Sequence, residues 1–298
     1  GFLQISKILI LFFYILLGFS QAMAMDCGWS AKNFEDSLQA SFSAQKDYLN
    51  ENFKNRQELR AHLLNPGKSK RIKDFKKIGD VVSPNGVSLF ESPQSLLYVE
   101  KKDGAVREWL SFEIFTRFKS RPKKLYMPEA VLTEDLVFRH LYIPETKPKH
   151  SWKNYFSWEH ISKSAGSYGH ATKEMVYWLE LFNFLIGNLD IKDDHFILGK
   201  NREVFLIDFA YSFWSVLDES PLHYQKRSEF MMSYFEEPQI DLKIPIVRRF
   251  VQELQSGLGE EILNWFTSQE LVYKMLRKEK EIDPFLERLD YLMNLSLD

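Results

Sequence analysis

The chain is read from one stretch, Leu181 to Phe213: LFNFLIGNLDIKDDHFILGKNREVFLIDFAYSF. It begins as the end of an apolar helix and continues into a polar loop, Asn188-Leu189-Asp190-Ile191-Lys192-Asp193-Asp194-His195. Phe196-Ile197-Leu198 then reads as a strand, Gly199-Lys200-Asn201 as a turn, and Glu203 to Ile207 as the returning strand. Asp208-Phe209-Ala210 follows directly. The two acidic residues Asp190 and Asp208 therefore stand at the open end of one predicted hairpin, with His195 between them in sequence.

Such a layout suits transfer from a metal-bound nucleotide. That chemistry needs a carboxylate to orient a hydroxyl nucleophile and further groups to hold a divalent cation against phosphates. The stretch resembles the catalytic core of the protein-kinase-like superfamily, whose loop H-R-D-x-x-x-x-N precedes D-F-G. Asn188-Leu189-Asp190 stands for the first motif, and His195 falls at the place of its final Asn. Asp208 lies eighteen residues after Asp190 (208−190) and thirteen after His195 (208−195), spacings that the family uses. The same frame is similar to sugar and antibiotic phosphotransferases, HipA-like kinases, phosphoinositide 4-kinases and secretory-pathway kinases.

The resemblance implies an α+β, two-lobed kinase-like fold with a small β-rich N-lobe and a mainly helical C-lobe. It implies ATP with Mg²⁺, or Mn²⁺ in its place, and a hydroxyl acceptor on a protein, a lipid or a small molecule. Asp190 would accept or orient the acceptor's proton, and Lys192 would touch the transferred phosphoryl group. Asp208 would hold the metal, with His195 in the second metal position. Three departures stand out: His195 for Asn, Leu189 for Arg, and Ala210 for Gly. The first and last support an alternative, a catalytically inactive pseudokinase that binds nucleotide or a partner. Leu189 argues against control by a phosphorylated activation loop. A D-F-x tripeptide near an aspartate also arises in ordinary surface hairpins.

Composition narrows the classes. The 298 residues are 45% hydrophobic and 15% aromatic, with 25 Phe, enough for a substantial core. Lys and Arg number 39 against 41 Asp and Glu, a net charge of −2, so no global basic field speaks for nucleic acid. Cys27 is the single cysteine, which excludes an intramolecular disulfide and a cysteine-built zinc site. His140, His160 and His170 lack a ligand spacing converging on His195, and no G-x-S-x-G occurs.

Residues 1–24 read as a signal peptide. Lys7 precedes the 12-residue apolar run Ile8 to Phe19, and Ala22-Met23-Ala24 follows as a cleavage site. The run is short for a membrane span of about 20 residues. The expectation is export, periplasmic or secretory, after cleavage; the alternative is an anchor at residues 8–19, the chain's one expected membrane contact. Residues 25–75 read as a helical extension, with helices ending near Asn65-Pro66-Gly67 and a basic linker, KSKRIKDFKK, at 68–77.

Residues 76–145 read as the N-lobe. Ile78 to Val82 and Val87 to Glu91 form a candidate hairpin whose turn contains Gly86, where family members cover the nucleotide phosphates. Ser95 to Lys102 is a third strand, and alternation places Leu97, Val99 and Lys101 on one face. Lys101 is the expected phosphate-binding lysine. The helix Arg107 to Lys119 offers Glu108 or Glu113 as its partner, and E-W-L-S-F favours Glu108 by resemblance to the HipA-like and secretory kinases. Ala130 to Leu132 and Leu136 to Ile143 complete the sheet. Residues 146–298 read as the C-lobe: a linker to Tyr168, a helix from Thr172 to Ile186, the hairpin, and amphipathic helices over Val247–Leu254, Glu260–Thr267, Gln269–Arg277 and Pro284–Leu295.

Overall fold

The computed structural model describes residues 31–49, 51–72, 87–144, 173–188, 195–199, 201–213, 240–269 and 282–298. The expected signal peptide, Gly86, Asp190, Lys192 and most of the predicted linker after Ile143 lie outside these residues. The fold is mixed α+β. Its elements are α1 (Ala31–Gln45), a 3₁₀ turn (Lys46–Tyr48), α2 (Arg56–Leu64), β1 (Lys70–Ile72), β2 (Val87–Glu91), β3 (Leu97–Lys101) and α3 (Ala105–Arg117). There follow β4 (Leu125–Tyr126), β5 (Ala130–Leu132), β6 (Phe138–Leu141), α4 (Lys173–Ile186), β7 (Phe196–Leu198) and β8 (Val204–Leu206). Helices α5 (Pro245–Glu253), α6 (Gly259–Ser268) and α7 (Ile282–Met293) finish the chain, with a π-helical segment, Leu254–Leu258, joining α5 to α6.

Five strands form one antiparallel sheet in the order β1-β2-β3-β6-β5. Strand β3 lies at its centre, so both its edges are paired, with β2 and with β6. One face packs Tyr98 on Phe90 with ring centroids 5.5 Å apart and closes with the cross-strand pair Arg139–Glu100 at 2.8 Å. The other face carries Leu97, Val99 and Lys101, and Leu89, Val99 and Tyr142 make a small apolar cluster there. The edge strand β1 falls within the basic run that sequence alone made a linker. Its single apolar residue Ile72 pairs with Leu89, while Lys70 and Arg71 occupy the rest of the edge. Three residues with one apolar side chain give too little alternation to read as a strand, and lysine is a common guard of sheet edges.

Helix α2 covers the sheet's outer side. Asn55 caps it by accepting from the Glu58 amide at 2.9 Å, and Glu58 accepts in return from the Lys54 amide at 2.9 Å. Its far end is held by Arg139, which donates to the carbonyls of Leu63 and Leu64 at 2.9 and 2.8 Å. Leu59 and Leu63 are fully buried beneath it.

Helix α3 is buried along nearly its whole length and links the sheet to the helical half. Phe115 and Phe118 meet Trp178 and Phe182 of α4 edge-on, and Phe118 stacks on Phe250 of α5 at 4.5 Å. A second sheet, β4-β8-β7, pairs the hairpin with β4, which runs parallel to β8. Helix α4 stops at Gly187 in the left-handed region (φ 63), the conformation that lets the chain turn into the loop. Among the described residues no helix is long and apolar enough to cross a membrane.

Candidate functional site

Lys101, Glu108, His195 and Asp208 converge where the sheet, α3 and the hairpin meet. Lys101 sits at the last position of β3. The chain then reverses through Gly104 (φ 67) and enters α3, whose first turn carries Glu108. That short path brings the Glu108 carboxylate back over the strand end, and Lys101 Nζ donates to its Oε1 at 2.5 Å. The helix's second candidate, Glu113, does not pair with Lys101; its partners are Arg60 and Arg117.

The hairpin supplies the other half. Its rungs pair Phe196 with Leu206, and the Ile207 amide donates to the His195 carbonyl at 2.9 Å. Asp208 follows that last rung with φ 64, a left-handed conformation uncommon outside glycine that recurs at functional positions. Its Oδ1 lies 3.3 Å from Lys101 Nζ and its Oδ2 lies 3.2 Å from His195 Nε2. The side chains of Lys101, Glu108 and His195 are 9, 3 and 9% exposed, that of Asp208 37%. Asp208 therefore presents the accessible anionic edge of an otherwise enclosed group.

The charges follow from this enclosure. Burial alone would push the Asp208 carboxyl up, but the His195 hydrogen bond and the Lys101 charge outweigh it and hold the group far below the usual carboxylate range. Burial alone would lower Lys101; Glu108 and Asp208 raise it instead, so it stays an ammonium. Burial raises Glu108, Lys101 draws it down, and the Asp208 charge lifts it again, with a net upward shift.

Sequence reading left out three further residues at this place. His140 was weighed only as a zinc ligand. It pairs with Val99 in register and thus shares the Lys101 face. Its Nδ1 lies 3.0 Å from the Leu141 carbonyl, and burial, then the Lys101 charge, drives it down to about 3. It is a neutral imidazole. With Glu108, Met127, Phe138 and Phe209 it lines a cavity of about 10 Å³, room for about one water. Gly104 and Arg107 touch the D-F-A segment itself, Arg107 by donating to the Ala210 carbonyl at 3.4 Å. Alternation along β6 was the one local signal, and it applied to His140 alone. Asp190, Lys192 and Gly86 lie outside the described residues, though Asn188 and His195 bracket the first two.

No three His, Cys, Asp or Glu side chains gather as a metal cage among the described residues. A magnesium site does not require one. That ion commonly takes one or two carboxylates and completes its shell with substrate phosphates and water. One accessible, firmly ionised aspartate beside a buried lysine fits that pattern.

No family model matches the chain, and no curated protein matches it. Among solved structures it is similar to the crystal structure of a Helicobacter pylori proinflammatory kinase, CtkA. The TM-score is 0.45 and the identity 13%, covering 78% of this chain and 94% of that one.

Proposed function

We propose that this protein is an atypical kinase, a phosphotransferase that moves the terminal phosphoryl group of ATP to a hydroxyl acceptor on a protein. The observation that carries the reading is the placement of Lys101 between Glu108 and Asp208 at 2.5 and 3.3 Å. A strand lysine fixed by a helix glutamate and facing a metal-binding aspartate is what phosphoryl transfer uses to grip and neutralise phosphates. On the same sheet face Leu89, Val99 and Tyr142 form a buried apolar cluster beside Lys101.

In this reading Lys101 binds phosphate oxygens, and Glu108 holds its ammonium in place. Asp208 would hold magnesium, with His195, whose Nε2 lies 3.2 Å from Asp208 Oδ2, orienting that carboxylate or joining it as a ligand. Magnesium, when bound, supplies positive charge against the phosphates. The acceptor oxygen attacks the terminal phosphorus, the bond from that phosphorus to the bridging oxygen breaks, and ADP leaves with the electron pair. Asp190 receives the acceptor's proton, and Lys192 meets the transferred group; both are assigned by their places in the sequence motif.

The test is a thermal shift of the full chain with ATP, with and without Mg²⁺ or Mn²⁺, beside Asp208→Ala. A metal-dependent rise that the variant loses supports the kinase reading and opens a screen of protein, lipid and small-molecule hydroxyls. A folded wild type that responds to no nucleotide under any metal sinks it and leaves a partner-binding module.

A further inference from the structure

Glu113 lies five positions after Glu108 on α3. At about 100° per residue the two glutamates point about 140° apart around the helix axis. One reaches the strand lysine, and the other is gripped elsewhere. Arg60 of α2 places Nη2 3.3 Å from Glu113 Oε1, and Arg117 places Nη1 3.2 Å from its Oε2. Arg117 also donates to the Glu113 carbonyl at 2.6 Å and sets its Nε 3.3 Å from Glu261 of α6. Its guanidinium lies 4.2 Å from the centroid of the Trp265 ring, which also packs 5.5 Å from Trp109 of α3. A second buried carboxylate, Glu129, meets Arg56 at 2.8 Å and Arg60 at 3.9 Å. Burial would raise the Glu113 carboxyl, but Arg60, Arg117 and Arg56 outweigh it and draw it down, so it is ionised.

Burying this many charges is not the cheapest way to pack three helices, because desolvation offsets most of the attraction. What the network does supply is a fixed rotation. Arg117 belongs to α3 and turns with it, so the anchors outside the helix are Arg60 on Glu113 and Glu261 on Arg117; a helix tied to them and to Lys101 cannot turn without breaking one of these pairs. Only at one rotation does Glu108 stand over Lys101.

We propose that Glu113 is a positioning residue for the phosphate-binding lysine: with Arg60, Arg117 and Glu261 it locks the rotation of α3, so the N-terminal helix α2 is a working part of the nucleotide site. This rests on the phosphotransferase reading above. The lock acts through Lys101, hence on the phosphates of a bound nucleotide and not on its base.

The experiment measures dissociation constants of the full chain for Mg·ATP and for adenosine by calorimetric titration, adenosine by displacement. Glu113→Gln is expected to weaken Mg·ATP about tenfold while leaving adenosine unchanged. Lys101→Met is expected to show the same split, and the double variant to bind Mg·ATP no worse than Lys101→Met alone. An unchanged Mg·ATP affinity, an equal loss for both ligands, or additive losses in the double variant overturns the proposal; the latter two describe a merely structural residue. Arg60→Gln, whose side chain is 29% exposed, gives the same split more weakly and is read in the same way if Glu113→Gln does not fold. A wild type that binds neither ligand overturns the phosphotransferase reading itself, and this inference with it. Wild-type binding with unresponsive variants overturns this inference alone.

Discussion

Gly104 and Ala210 stand in direct backbone contact. A β-carbon on Gly104 would lie 2.5 Å from the Ala210 methyl, 2.7 Å from its α-carbon and 2.9 Å from its carbonyl oxygen. The turn into α3 and the D-F-A segment are thus packed through the absence of one side chain. The Ala210 methyl fits there because position 104 carries no side chain.

Gly104→Ala is therefore expected to destabilise the protein by about 2 to 4 kcal/mol, from the clash together with the strain of a left-handed alanine. Adding Ala210→Gly is expected to recover only part of that loss, since the backbone of residue 210 also blocks the site. Urea unfolding of the two single variants and the double checks both points.

In the proposed phosphotransferase reading, Lys101→Met lowers phosphoryl transfer by about 10²-fold. It leaves Glu108 buried without its cation, which costs about 3 kcal/mol. The double variant Lys101→Met/Glu108→Leu is expected to regain stability without regaining nucleotide binding. Unfolding midpoints measured beside ATP titrations separate the two effects.

Glu180 on α4 is 1% exposed, and its Oε2 has no hydrogen-bond partner among the described residues. Burial pushes its pKa from 4.5 up to about 9. The folded state then holds a proton that the unfolded chain has already released. The stability tied to that proton is complete below pH 4.5 and is lost as pH rises toward about 9, at about 1.4 kcal/mol per pH unit. Glu180→Gln is expected to flatten this slope and to stabilise the protein by a few kcal/mol at pH 8. Denaturant curves across pH 5 to 9 provide the measurement.

His195 contacts the carboxylate proposed to hold the metal. Imidazole suits transition metals better than magnesium, whereas an amide oxygen suits magnesium. His195→Asn is expected to shift metal preference from Mn²⁺ toward Mg²⁺ in ATP-dependent thermal shifts. An unchanged ratio of the two metals' effects would exclude His195 as a ligand.

The hairpin, the central strand and the helices Pro245–Glu253, Gly259–Ser268 and Ile282–Met293 were legible because each carries its own period, while the helix expected over Gln269–Arg277 lies outside the described residues but for its first position. β2 has the bounds that the pattern of Val87 to Glu91 indicated, and β7 and β8 fall on the two apolar runs of the hairpin. Lys101 was legible by alternation. The choice between Glu108 and Glu113 was weaker, since both lie on one helix and only the path through Gly104 decides which returns over the strand. What stayed hidden was long-range. Arg56 meets Glu129 across 73 residues, and no local pattern announces such a pair. The same holds for Gly104, which reads as an ordinary turn glycine until Ala210 is set beside it.

The first described helix has distant partners. Ser41 donates to the Met127 carbonyl at 3.4 Å, and Gln45 accepts from the Glu129 amide at 2.6 Å. Tyr48 packs edge-on against Phe205 of the hairpin at 5.8 Å, a contact across 157 residues (205−48). On the ribosome this helix emerges well before the surface it binds, which lies up to 157 residues further on (205−48). Contacts at such separation slow folding and leave apolar side chains uncovered meanwhile. A product ending before Phe205 would therefore leave Tyr48 without the hairpin ring it packs against.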